Sequence, residues 1–157
     1  MLEVRMEKIM QITDYLSEPS VLFLDSTDKN EVLASMVAHA ARLGLVPDEH
    51  AFKKALLERE ALMSTDIGWQ VAIPHAKMPG IPEFFVIPTI LSHDSDWGGG
   101  EGQTVRLIFL IGGPSGRQTD YLKILSKITL VIKNKTRRES LLKAQDAKSV
   151  LAAFAGL

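Results

Sequence analysis

A short, wholly apolar run, Val21-Leu22-Phe23-Leu24, stands between Pro19-Ser20 and Asp25-Ser26 and leads directly into a long amphipathic segment. An apolar run of this length bounded by turn residues reads as a buried strand. In the segment that follows, Asp28 and Glu31 have the spacing of a capping box. Val32, Leu33, Met36, Val37, Ala40 and Leu43 then recur at helical intervals, and Gly44 stands where a C-cap glycine belongs. A strand feeding an amphipathic helix is how an α/β domain begins.

The rest of the chain continues in the same manner. Ile9–Leu16 can form one or two helical turns before Pro19. Pro47-Asp48 opens a second helix that runs to about Leu62, with Phe52, Ala55 and Leu56 inward and Lys53, Lys54 and Glu58 outward. Gln70–Ile73 reads as a strand that Pro74 ends, since proline cannot donate to a ladder. Phe84–Leu91 is a further strand, and Pro88 within it argues for an edge or bulged position. His93 to Gly102 reads as loop. Thr104–Ile111 is the central strand, broken by Gly112-Gly113-Pro114. Ser115 with Gln118 can cap a long helix carrying Leu122, Leu125, Ile128 and Ile132. Thr136 with Glu139 can cap a shorter helix ending near Gln145, and Asp146 a last one carrying Val150, Leu151 and Phe154. No repeat, low-complexity tract or linker interrupts residues 1–157, so one α/β domain is expected. Short connections between some strands call for a mixed sheet.

Composition narrows the chemistry. The 157 residues carry a net charge of −1 with basic residues scattered, which leaves no positive field to hold nucleic acid. There is no cysteine, so disulfides, thiolate metal sites and cysteine nucleophiles are excluded. The start, Met1 to Lys8, lacks the apolar core of a signal peptide, and the longest apolar runs are too short to span a bilayer. A soluble cytoplasmic protein is expected. No phosphate-binding Gly-x-x-x-x-Gly-Lys-Ser/Thr loop, Gly-x-Gly-x-x-Gly turn, His-Glu-x-x-His or Gly-x-Ser-x-Gly is present. His39, His50, His75 and His93 have no metal-ligand spacing. Neither a metal nor a cofactor is expected.

The chemistry concentrates in Glu58–Lys77. His75 follows Pro74 at the end of a strand, where clefts in α/β sheets form. A neutral imidazole is a competent nucleophile near pH 7 and forms covalent intermediates. A transferred phosphoryl group needs positive donors around its oxygens, and Arg59 can supply a forked, charge-assisted pair. Ser64 and Thr65 offer hydroxyl or backbone donors, Gly68 lets the backbone turn closely, and Lys77 adds charge. Singly, each has an ordinary reading as well. His75 can be a loop residue, Arg59 a solvated helix-end partner of Glu58 and Glu60, and Ser64-Thr65-Asp66 a turn or cap.

Taken together, Glu58-Arg59-Glu60, Ser64-Thr65-x-Ile67-Gly68 and Val71-Ala72-Ile73-Pro74-His75-x-Lys77 resemble the fructose/mannitol-type enzyme IIA domains of the bacterial phosphoenolpyruvate-dependent sugar phosphotransferase system. That group includes its nitrogen-regulatory branch. Ile12-Thr13-Asp14-Tyr15-Leu16, Val105–Leu110 and Leu122-Lys123-Ile124-Leu125 extend the resemblance over nearly the whole chain. It implies a mixed, mostly five-stranded sheet flanked by helices on both faces. It also implies that His75 accepts a phosphoryl group from an HPr-type phosphocarrier protein and passes it to a cysteine of a IIB domain or signals to a regulatory target. On this pattern Arg59 helps to hold the group, with Ser64, Thr65, Gly68 and Tyr121 in supporting positions. The alternative it leaves is a regulatory binding module with weak or no phosphotransfer.

Three positions depart from the family pattern. Asp66 and Gln70 stand where glycines are usual, and Tyr121 replaces a second histidine at the start of the Leu-Lys-Ile-Leu helix. A tyrosine hydroxyl can still donate a hydrogen bond. Of the remaining residues, His39 and His50 read as helix-surface positions, Trp97 as packing against a sheet edge, and Lys133, Lys135, Arg137 and Arg138 as a solvated basic cluster.

Overall fold

A computed structural model describes residues 10–157. Ile9 and the Met1–Lys8 stretch considered above lie outside the described residues. Two 3-10 turns, Ile12–Asp14 and Glu18–Ser20, precede strand β1 (Leu22–Leu24). Helices α1 (Lys29–Arg42) and α2 (Glu49–Leu62) follow. Three short strands come next, β2 (Asp66–Gly68), β3 (Val71–Ala72) and β4 (His75–Lys77). Two long ones, β5 (Phe85–Ser95) and β6 (Val105–Gly113), form the middle of the sheet. The chain ends with α3 (Gln118–Lys133), α4 (Lys135–Lys143) and α5 (Ala147–Ala152).

The sheet is mixed, in the order β1-β5-β6-β3-β2, with β4 also paired to β6. It has six strands rather than the five expected, and Pro74 is the reason. β3 lies parallel to β6 with Ala72 opposite Ile108, and β4 rejoins the same strand with His75 opposite Ile111. Pro74 cannot donate, but its carbonyl accepts the Ile111 N–H at 3.0 Å, so the chain stays on β6 across the break. His75 therefore opens a strand instead of lying beyond the sheet's end.

The strand alternation of β6 serves two cores. Leu107, Phe109 and Ile111 face a cluster built with Ile124, Ile128, Val131 and Ile132 of α3, Leu141 of α4 and Phe154. Ile108 and Leu110 face the other cluster, with Val32, Leu33, Met36 and Val37 of α1 and Phe52 and Leu56 of α2. Helices thus cover both faces, as the strand–helix order required.

Several local expectations are corrected. Pro88 lies in a central strand. Val86 directs its N–H to the Tyr15 carbonyl, away from β6, and Pro88 shares that orientation two residues on. The β1 ladder begins only at Thr89, so the missing donor removes nothing from the β5–β6 pairing. β5 also runs on through His93 to Ser95, past a register shift. Gly112 and Gly113 do not break β6 but complete it, because the rings of Phe85 and Phe84 occupy the space their side chains would take. β1 is half-exposed, with Phe23 at 41 %. α1 has half of the expected capping box: Asp28 accepts the Glu31 N–H, while the Glu31 carboxylate accepts from Ser26. α3 begins after Arg117 without a side-chain cap, and its inner face is set by Tyr121, not Leu122, which is 51 % exposed. Asn134, not Thr136, caps α4 through the Arg137 N–H. Among the described residues no helix is long and apolar enough to cross a membrane.

Candidate active site

The last two turns of α2 present a charged pair of residues to different surroundings. Phe52, Leu56 and Glu60 are the buried positions of this helix, each four residues from the next, so Glu60 is carried on the apolar face. The residue is 7 % exposed and its carboxylate is fully engaged. Lys29 Nζ lies 2.9 Å from Oε2, the Thr65 hydroxyl donates to Oε1, and the Thr65 N–H reaches Oε2 at 3.4 Å. Arg59 turns outward and donates through Nη1 to the Met63 carbonyl at 2.9 Å. That bond satisfies an acceptor beyond the helix end and fixes the guanidinium at the mouth of the site.

Thr65 connects this helix end to His75. Its carbonyl accepts the Ile73 N–H at 3.0 Å. The Ile73 carbonyl lies 3.1 Å from His75 Nδ1. A carbonyl can only accept, so Nδ1 carries the proton and Nε2 carries the free lone pair. Burial pushes the pKa of His75 below its ordinary value, with the charges of Arg59 and Lys77 acting in the same direction and the Ile73 carbonyl and Glu60 opposing. The shift favours the neutral imidazole, the form in which a histidine can act as a nucleophile.

From α3, Tyr121 packs its ring on the imidazole. Burial raises the pKa of its phenol, with Arg59 as a weaker opposing influence, so the hydroxyl remains a donor. Lys77 Nζ sits 4.9 Å from the centre of the same ring and donates to Gln118 Oε1. Two cations, a neutral imidazole and a phenol therefore meet at one end of β4. This set suits an anionic group on Nε2.

The structure brings together His75, Arg59 and Tyr121 of the residues expected from sequence, with Thr65 joined through its backbone. Ser64 is placed differently: its hydroxyl donates to the Trp97 carbonyl at 2.9 Å and accepts the Asp66 N–H at 3.2 Å. Gly68 takes a φ of 87° at the β2–β3 hairpin and accepts no side chain there without strain. Asp66 is committed to its own turn, where Oδ1 accepts the Gly68 N–H at 2.9 Å and the carboxylate packs on Gly99. Trp97, expected at a sheet edge, is fully buried in the α1–α2 core. His39 is bonded to the Pro19 carbonyl at 2.6 Å, and His50 and His93 are exposed. Among the described residues no three His, Asp or Glu side chains gather as metal ligands.

Comparison with known proteins fits this geometry. The family model for "Phosphoenolpyruvate-dependent sugar phosphotransferase system, EIIA 2" matches residues 14–156. The chain belongs to this EIIA family. A nitrogen regulatory protein of Bradyrhizobium diazoefficiens is 33 % identical over 147 residues, covering 93 % of this chain and 95 % of the relative. The fructose-specific EIIABC component of Bacillus subtilis is 31 % identical over 147 residues, covering 90 % of this chain but only 22 % of that longer protein. The crystal structure of the nitrogen regulatory protein IIA-Ntr of Neisseria meningitidis superposes with a TM-score of 0.78 at 26 % identity, covering 85 % of this chain and 91 % of that one.

Within the EIIA frame, the departures noted in the sequence acquire definite positions. Tyr121 stands directly against His75, Asp66 is turned into the hairpin, and Gln70 takes a left-handed φ of 63° beside Trp69 at 52°. Glu60, read from sequence as a solvated partner of Arg59, is instead buried on Lys29 and Thr65, an inward position that the 52-56-60 spacing marks; Lys29 was not singled out by sequence. Lys77 was noted only as added charge, and its reach across to Gln118 has no local sequence signal.

Proposed function

We propose that this EIIA protein is a phosphocarrier in which His75 Nε2 accepts a phosphoryl group from the histidine of an HPr-type carrier. The observation that carries the reading is the Nδ1–H bond to the Ile73 carbonyl, which leaves Nε2 free among Arg59, Lys77 and Tyr121. In the step, the Nε2 lone pair attacks phosphorus as the bond from phosphorus to the donor's imidazole nitrogen breaks and its electron pair returns to that ring. His75 keeps the Nδ1 proton. The charges of Arg59 and Lys77 offset those on the transferring oxygens, and Tyr121 donates from the side. In the onward step, a thiolate of a IIB domain attacks phosphorus, the P–N bond breaks and its electron pair returns to Nε2. Exposed Leu62, Met63 and Leu122, at the ends of α2 and α3 beside this site, give a partner apolar surface to rest on.

Incubation with phosphoenolpyruvate, enzyme I and an HPr-type carrier is the test. Wild type takes up label and His75→Ala does not. Equal labelling of the two sinks the proposal.

A second reading is favoured by the near-complete coverage of the nitrogen regulatory relative. In it the phosphorylated and free forms are read by a regulatory protein, and no IIB domain is served. Capture of a target that depends on the phosphorylation state, together with slow discharge to IIB domains, distinguishes it from transport.

A further inference from the structure

Glu60 takes no part in the transfer step, yet it is the most heavily bonded side chain near the site. Its brace, Lys29 at the start of α1, is itself held on two sides. Lys29 Nζ donates to the Trp97 carbonyl at 3.0 Å and lies 5.2 Å from the centre of the indole. Removing an ion pair from water costs more than its attraction returns unless every remaining donor and acceptor is matched, and well-packed apolar residues usually hold two helices at least as well. Here the carboxylate is matched by Lys29 and by two donors of Thr65, so what the pair secures is Thr65 rather than the helix packing.

Thr65 is the first link of a hydrogen-bonded series. Its carbonyl accepts from the Ile73 N–H, and the Ile73 carbonyl accepts from His75 Nδ1–H. Thr65 and Ile73 each donate through their own N–H and accept through their own C=O, which belong to adjacent peptide groups, so the coupling along the series is positional: a displacement of Thr65 moves Ile73 and with it the carbonyl that holds His75. Which ring nitrogen of a histidine is left free is decided by the bond the other nitrogen makes.

We infer that Glu60, braced by Lys29, is a positioning residue that holds His75 in the Nδ1–H form through the Thr65 and Ile73 peptides. The charged and titratable groups acting on the imidazole are Arg59 and Glu60 of α2, Lys77 of β4 and, packed on it from α3, Tyr121. Arg59 and Lys77 bear on the transferred group; Glu60 bears on which nitrogen receives it. The inference rests on the phosphocarrier reading for its consequence in transfer, but the tautomer of His75 is measurable without any transfer.

The test uses the full chain with 15N-labelled histidine, compared as wild type, Thr65→Val, Thr65→Ser and Glu60→Ala. Wild type shows a protonated Nδ1 and a bare Nε2 above the pKa of the ring. Thr65→Val, which removes the hydroxyl bond to Glu60 at nearly constant volume, gives a mixture of tautomers and accepts phosphoryl groups about tenfold more slowly, the weight of one hydrogen bond to a charged group. Thr65→Ser restores both properties. Glu60→Ala has the larger effect if it folds, and the Thr65 pair decides the matter if it does not. A single Nδ1–H tautomer and an unchanged rate in folded Thr65→Val overturn the inference. A wild type that shows the Nδ1–H form but takes up no label overturns the phosphocarrier reading, while the tautomer comparison still decides the role of Glu60.

Discussion

The phenol ring of Tyr121 lies against the imidazole of His75, with centroids 5.4 Å apart and planes inclined at 43°. The contact shields the imidazole from water, and burial is the largest cause of its lowered pKa. Tyr121→Phe keeps that shielding and leaves the titration of His75 where it is. Tyr121→Ala admits water and returns the pKa towards the ordinary value of about 6.5. Ring-proton or 15N titration of His75 separates the two variants. An unmoved titration in the alanine variant contradicts the shielding.

The same shift makes stability depend on pH with a definite sign. The folded pKa of His75 lies below that of the unfolded chain, so between the two values the unfolded state binds more protons. The stabilisation is present above about pH 6.5 and is lost as pH falls through the folded pKa. Denaturant midpoints of wild type and His75→Gln, compared at pH 7.5 and pH 5, should show a steeper fall in the wild type. Parallel pH profiles would mean that His75 titrates alike in both states.

Arg59→Lys retains a positive charge but loses the fork that can hold two oxygens at once and the Nη1 bond to the Met63 carbonyl. Loss of a hydrogen bond to a charged group, about 1.5–3 kcal/mol, predicts a rate of phosphoryl acceptance roughly 10- to 100-fold lower. Rapid-quench kinetics from a phosphorylated carrier measure it, and a full rate in the lysine variant removes Arg59 from the step.

Gln70 holds a left-handed conformation in a hairpin turn whose central residues both have positive φ. A residue with a Cβ bears a cost of about 1–2 kcal/mol there. Gln70 recovers a little of it through a 3.3 Å hydrogen bond to Asp94 Oδ1. Gln70→Gly should therefore raise the urea midpoint by the equivalent of up to about 1 kcal/mol. A lower midpoint would show that the Asp94 contact outweighs the strain.

The alternation of strand and helix and the two-sided core were legible because each rests on local periodicity, and the fixed spacing of the Glu58–Lys77 motif marked the stretch that holds the candidate site. What was not legible depended on distant chain. Pro88 reads as an edge residue until the short β1 is seen to begin one residue later. Gly112 and Gly113 read as breakers until Phe84 and Phe85 are placed over them. Ser115 and Thr136 have capping spacing, but α3 begins after Arg117 and Asn134 reaches the α4 terminus first. Leu122 is as apolar as any core residue and is exposed, while its neighbour Tyr121 faces in, because the site end of α3 is set against β4. Glu60 was hidden by its charge: a buried carboxylate is expected only when Lys29 and Thr65 are known to meet it.

The return of β4 to β6 on the far side of Pro74 has a kinetic meaning. The backbone of His75 is fastened to its neighbour strand before and after the proline, and its ring is held by the Ile73 carbonyl and Tyr121, so Nε2 is offered to donor and recipient from the same side. For a carrier working as proposed, both partners must queue for one line of approach, and each must depart before the other arrives. Loading should then speed up with carrier concentration only to a point, beyond which surplus unphosphorylated carrier slows discharge by occupying the doorway.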